Sequence, residues 1–257
     1  MPKMKGSRYI AETLNGYGIT HFFFMPVIVP SALREMEKLG IKRIMTHGEK
    51  AAAYMADGYA RASGRAGICG AQSVGAANLA AGLQDAYLAC SPVIAFTGRE
   101  KQINQHRNAY QEIDHLDPFN AVTKYNVLVN QVEQLPYLLR QAFREATSGT
   151  PGPVHLDLEG MPGNVIAEGE ADLDGTVEEA FAHVPPFRPE AELSVVLEAL
   201  EILARAKRPI IVAGGGVKAS QAGKELVELA EKLNIPVATS LNAKETFPFD
   251  NALAVGI

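Results

Sequence analysis

In the stretch His-Gly-Glu-Lys-Ala-Ala-Ala, residues 47–53, a carboxylate stands at the mouth of an alanine-rich segment, just after a hydrophobic run. Ala51, Ala52, Ala53, Met55, Ala56, Tyr59 and Ala60 supply small and apolar positions, and Gly64 supplies a stop. That pattern predicts a helix opening at Glu49. Two accounts fit the acid. It is either an ordinary first-turn carboxylate favoured by the helix dipole, or a group aimed at something whose proton it can hold or move.

Few other residues suggest chemistry by type and spacing. His115, beside Asp114, has the neutral-range titration of an acid–base group, and His47 lies next to Glu49. A histidine in a polar loop or at a strand end is more often structural or solvated, so neither is assigned a catalytic role. Gly214, Gly215 and Gly216 follow a strand and precede a helix, as a phosphate-binding turn would. They do not form the spaced glycine fingerprint of dinucleotide sites, and a tight turn without ligand is the simpler reading. Cys69 and Cys90 have neither metal-ligand nor redox-pair spacing. Both are read as buried thiols of a reducing cytoplasm. No metal ligand is assigned.

The elements that must position Glu49 alternate between helix and strand. Residues 9–18 read as a helix, 20–26 as a buried strand, 31–40 as a helix and 41–47 as the strand feeding Glu49. Strands at 66–72 and 92–98 flank a helix over 75–89. After a polar loop come a strand over 123–129, a helix over 132–149 and a strand over 152–158. This alternation predicts an α/β fold, a parallel sheet flanked by helices on both faces. Three regions are expected: a domain over 1–165, a Gly-, Pro- and acid-rich linker over 166–189, and an incomplete second parallel α/β domain over 190–257. That last region shows two clear strands, too few for a stable open sheet, so the sequence is read as a piece of a longer chain or one completed by another subunit.

Bulk properties narrow the function classes. The chain has 257 residues, 47% of them hydrophobic and 21% charged, and a net charge of −5. No Lys/Arg block occurs, which argues against nucleic acid and anionic membrane as partners. The basic N-terminus lacks an apolar core for a signal peptide, and no apolar segment is long enough to span a bilayer.

Several strings together resemble the N-terminal, pyrimidine-binding domain of thiamine-diphosphate-dependent 2-oxo-acid enzymes, in their acetolactate synthase-like branch. They are HGEKAAAYMADGYARASGRAGIC, NLAAGLQDAYLACSPVIAFTG, YQEIDH, TKYNVLV and GTPGPVHLDL, in that order. RPIIVAGGGV and IPVATS resemble the start of that family's central domain. The resemblance gives Glu49 a target: in the family this glutamate hydrogen-bonds N1′ of the aminopyrimidine and so promotes loss of the thiazolium C2 proton. It further implies cofactor contacts at Ser73, Gly75 and Asn78, and substrate contacts at Val27, Ile28, Gln111 and Lys124. The diphosphate and its Mg²⁺ fall to a C-terminal domain that this sequence lacks, and FAD or an adenine nucleotide binds the central domain in some members. A small 2-oxo acid substrate and a homodimer or homotetramer are implied as well.

Two departures stand out. SVGAAN replaces the family's Ser-Gly-Pro-Gly turn, and MPVIVP puts Val27, Ile28 and Val29 where the family has a glycine-rich turn. Branched side chains there would narrow the acceptor pocket and disfavour self-condensation of pyruvate. The expected activity is cleavage or joining of a C–C bond next to a carbonyl. A non-catalytic or regulatory homologue, and a nucleotide- or CoA-binding module, remain as alternatives.

Overall fold

The computed structural model describes residues 3–257. The chain forms two compact units, one ending at Pro186 and the other spanning Phe187–Ile257. The first unit opens with β1 (Met4–Lys5), α1 (Gly6–Gly16), β2 (His21–Phe24), α2 (Pro30–Lys38) and β3 (Lys42–Met45). It continues with α3 (Glu49–Ser63), β4 (Gly67–Gln72), α4 (Gly75–Leu88), β5 (Val93–Arg99) and α5 (Leu116–Asn120). Then follow β6 (Tyr125–Val129), α6 (Leu135–Thr147), β7 (Val154–Glu159), α7 (Asn164–Glu168) and β8 (Glu170–Ala171).

Six of these strands form one parallel sheet in the order β3-β2-β4-β5-β7-β6. Because side chains alternate across a strand, each central strand feeds two cores. Ile68 of β4 and Ile94 and Phe96 of β5 pack with α1, α2, α6 and α7 on one face. Cys69, Val93 and Ala95 point the other way, into a core built with α3, α4 and Phe119 of α5. Full burial of a Phe or Ile side chain contributes roughly 1.5–3 kcal/mol, so the sheet is held from both faces.

Small residues bring α3 unusually close to its neighbours. A side chain at Gly67 would run into the Ala56 carbonyl, so α3 lies nearly backbone to backbone on β4. A Cβ at Gly82 of α4 would stand 2.7 Å from the Ala53 Cβ and 2.9 Å from the Lys50 carbonyl oxygen.

The segment after β7, expected as a linker, packs on the first unit. β8 pairs antiparallel with β1, Leu173 and Val184 are buried, and the Tyr9 hydroxyl donates to the Asp174 carbonyl at 2.7 Å. Its scattered apolar residues find pockets singly, which leaves no periodicity to detect. Cys69 is buried as expected, whereas Cys90 is exposed. It sits just past α4 with φ +55°, in a turn rather than in the core.

The second unit contains α8 (Leu193–Arg205), β9 (Ile211–Ala213), α9 (Gly215–Ala219), α10 (Gly223–Leu233), β10 (Val237–Thr239) and β11 (Ala254–Gly256). Its sheet has the order β11-β10-β9, all parallel, one strand more than the pattern suggested. Leu226, Ala230, Val237 and Phe247 form its small core with Ala213.

Candidate active site

The candidate site lies where β2, β3, β4 and β5 end, the end at which parallel sheets gather loops for ligands. Thr46 leaves β3 and fixes the following turn: its N–H donates to the Phe24 carbonyl at 2.9 Å and its hydroxyl to the Gly48 carbonyl at 2.9 Å. Gly48 then caps α3 in an extended conformation and Glu49 takes the first helical position. The Glu49 side chain is half-buried.

Opposite it stands the start of α4. Asn78 Nδ2 lies 3.3 Å from Glu49 Oε2 and donates to it. A Cβ at Gly75 would stand 2.5 Å from Glu49 Oε1 and 3.0 Å from its carboxyl carbon. Gly75 is therefore required by close approach: its backbone lies against the carboxylate with no side chain between them. No described residue donates to Oε1, so one carboxylate oxygen is available to a ligand. This donor set fits a basic ring nitrogen that exchanges a proton with a carboxylate.

Ser73 forms the turn into α4 in the left-handed region, φ +44°. It is buried, its N–H donates to the Gly98 carbonyl at 2.7 Å, and its hydroxyl donates to the Gln111 carbonyl. Gln111 also has positive φ, +58°, so the 100–115 loop is clasped to the turn at two constrained residues. Within that loop the Glu112 carboxylate accepts the N–H groups of His106 at 2.5 Å and Ala109 at 3.1 Å. Those backbone hydrogen bonds, His106 first, hold Glu112 below the usual carboxylate range. The Gln111 amide donates to the Tyr110 hydroxyl at 3.0 Å, beside an open depression lined by residues of the loop.

The remaining expected contacts separate. Val27 is 48% exposed at the mouth of the loop after β2. Ile28 and Val29 are fully buried, contrary to the expectation that all three valine and isoleucine side chains crowd the substrate space. Val29 takes φ +34° at the start of α2 and donates its N–H to the Pro162 carbonyl at 2.7 Å. That turn drives Ile28 against the sheet, where its Cγ2 lies 3.3 Å from where a Cβ of Gly70 would be. Lys124 is also elsewhere. It precedes the N-terminal end of β6, the opposite end of the parallel sheet from Glu49. Its ammonium donates to the Glu145 carbonyl at 2.6 Å and the Ser148 carbonyl at 3.0 Å, capping α6. Burial lowers its pKa from the ordinary lysine value.

A polar cluster under the Ser73 turn was missed. Thr97, His115, His155 and Asp157 are all fully buried, and Arg99 nearly so. Only the polar residues inside apolar strands, Thr97 in β5 and His155 and Asp157 in β7, hinted at it.

Comparison with known proteins identifies a family. The family model described as "Thiamine pyrophosphate enzyme, N-terminal TPP binding domain" matches residues 4–117, and "Thiamine pyrophosphate enzyme, central domain" matches 196–257. A probable acetolactate synthase large subunit of Methanocaldococcus jannaschii is 40% identical over 99% of this chain and 43% of its own length. An acetolactate synthase of Arthrospira platensis is 33% identical over 99% of the chain and 45% of its own. The chloroplastic acetolactate synthase 2 of Nicotiana tabacum is 31% identical over 98% and 38% respectively. The chain thus spans less than half the length of these relatives. With Glu49, Gly75 and Asn78 gathered inside the first matched region, the chain belongs to the thiamine pyrophosphate enzyme family.

Proposed function

We propose that this chain supplies the pyrimidine-activating half of a thiamine-diphosphate site, in a protein that joins 2-oxo acids as acetolactate synthases do. The observation that carries this reading is the Glu49 carboxylate, with Oε2 held by Asn78, Oε1 free of described donors and the facing backbone bare at Gly75. Glu49 would hold a proton at N1′ of the aminopyrimidine. Asn78 orients the carboxylate, and Gly75 brings backbone to the ring without a side chain in the way. When bound, thiamine diphosphate supplies a thiazolium carbon that adds to the carbonyl and takes up the electron pair released there.

Gln111 and Val27 are the substrate contacts in this reading, the first a polar amide and the second an exposed apolar side chain in the loop after β2. Ile28 and Lys124 drop out, the first buried in the core and the second committed to α6 carbonyls. The diphosphate and Mg²⁺ belong to a C-terminal domain of the longer protein, and the working form is a cytoplasmic homodimer or homotetramer. FAD or an adenine nucleotide would sit on the second unit. Gly214–Gly216 open a helix of only five residues there, which gives a phosphate little dipole to bind.

The experiment is exchange of the C2 proton with deuterium in the full-length protein. Glu49→Gln should slow it by about 10²–10⁴-fold or more while the fold is kept. Unchanged exchange would remove the assignment, and a wild type no faster than free cofactor would favour a non-catalytic homologue.

A further inference from the structure

The buried cluster beneath the Ser73 turn has no part in the reading above, yet its hydrogen bonds have a forced direction. His115 Nε2 lies 2.9 Å from the Ser73 carbonyl oxygen, which can only accept, so Nε2 carries a hydrogen. His115 Nδ1 lies 2.8 Å from Asp157 Oδ1, and this link also requires a hydrogen. Asp157 meets further donors, the Thr97 hydroxyl 2.7 Å from Oδ1 and Arg99 Nη1 3.4 Å from Oδ2. Burial by itself would raise the Asp157 carboxyl. The hydrogen bonds from His115 and from the Thr97 hydroxyl together hold it below the ordinary value. An ionised carboxylate leaves the linking hydrogen on the ring.

His155 plays the opposite role. Burial lowers it to about 3, so its ring is neutral. Its Nδ1 faces Asn126 Oδ1 at 2.7 Å, while the Asn126 amide nitrogen donates to the Leu116 carbonyl at 2.5 Å. Nδ1 must therefore donate, and Nε2 must accept from the Thr97 hydroxyl 2.6 Å away. The single Thr97 hydrogen is divided between His155 and Asp157. His115 is the donor that Asp157 never has to share.

We propose that His115 is a positioning residue for the Glu49 half-site: donating from both ring nitrogens, it ties the Ser73 carbonyl to Asp157 on β7 and fixes the turn that sets Gly75 against the Glu49 carboxylate. The inference rests on the reading of Glu49 given above. Ser73 and Gln111 both hold left-handed backbone, a region non-glycine residues keep only under constraint. The His115 hydrogen bond, the Ser73 N–H to Gly98 and the Ser73 hydroxyl to Gln111 are the constraints.

The test uses the full-length protein labelled with ¹⁵N-histidine, with and without thiamine diphosphate, His115 being assigned by difference from His115→Gln. A hydrogen on His115 Nε2 and a hydrogen-bonded Nδ1 are expected with and without cofactor; an Nε2 without hydrogen overturns the proposal. Calorimetry then measures cofactor affinity in variants whose melting curves show them folded. His115→Gln keeps a donor for Ser73 but turns an acceptor toward Asp157, and should weaken thiamine diphosphate binding about tenfold or more. Adding Asp157→Asn restores a donor–acceptor pair and should recover most of that affinity. A wild-type affinity in His115→Gln, or a double variant no better than the single, overturns the proposal. Intact C2 exchange in Glu49→Gln would sink the functional reading alone, because the His115 nitrogen spectrum reports on the clamp whatever Glu49 does.

Discussion

Glu49 and Asp157 are two carboxylates under the same sheet ends, and they are held in opposite ways. Asp157 is fully buried and surrounded by donors from His115, Thr97 and Arg99. Glu49 is half-buried, takes one long hydrogen bond from Asn78 and faces bare backbone at Gly75. A saturated buried carboxylate has no capacity left for a ligand, and its loss exposes unpaired donors to a low-dielectric interior. A carboxylate with a spare oxygen can change partners during a reaction. Burial therefore singles out Asp157, and unfilled acceptor capacity singles out Glu49.

Substitution at the two acids should separate function from stability most sharply. Glu49→Gln is expected to lose about 10²–10⁴-fold or more in C2 exchange with little change in the denaturant midpoint. Asp157→Ala should do the reverse at the level of the fold. Removing one partner of a buried charged network costs about 3–5 kcal/mol, read as a fall in unfolding free energy. A Glu49 variant as unstable as the Asp157 variant would erase the distinction.

Overpacking the crossing of α3 and α4 gives the next effect. Gly82→Ala should cost about 1–3 kcal/mol, because the new methyl meets both Ala53 and the Lys50 backbone. Its denaturation curve is the measurement, and a neutral result would mean the helices slide apart freely.

Acid should discriminate the buried cluster from the Glu49 site. His155 is depressed from 6.5 to about 3 in the folded chain, so the unfolded chain binds the extra proton between those values. Stability from the neutral ring is complete above pH 6.5 and is lost as pH falls toward 3, at up to about 1.4 kcal/mol per pH unit. Asp157, also depressed, adds a loss only below the ordinary carboxylate value, as pH falls through its folded pKa. Urea midpoints between pH 7 and pH 4 test the first part, and a His155→Gln chain should show a shallower slope. At the far end of the sheet, Lys124→Met removes only a helix cap, for a loss of about 0.3–1 kcal/mol and no change in C2 exchange.

The α/β alternation, the parallel sheet and the Glu49 helix could all be read from periodicity, because alanines, branched strand residues and terminal glycines carry those signals locally. The sheet order could not, since nothing in one strand says which neighbour it meets. Lys124 was misplaced for a similar reason: a lysine before a strand reads the same whether it faces a ligand or the end of a helix 21 residues on. Ile28 lies in a loop whose direction depends on one residue, Val29, in an uncommon backbone region. His115 looked solvated beside an exposed Asp114, and only the fold supplied Asp157 from 42 residues away. The Glu49 assignment came from resemblance of motifs; its local sequence is equally that of a plain first-turn acid.

The contact between Gly82 and Ala53 acts as a fulcrum. Asn78 lies four residues along α4 from Gly82, and Glu49 four along α3 from Ala53, roughly 6 Å of lever at 1.5 Å per residue. Rolling the helices by about 10° would carry the tips past each other by about 1 Å, and displacements of that size at a reacting group can cost about 10²-fold in rate. With only the Ala53 methyl between the two helices and no side chain on Gly82, there is little room to roll. The missing methyl group at position 82 thus sets the mechanical tolerance of the Glu49 carboxylate a turn of helix away.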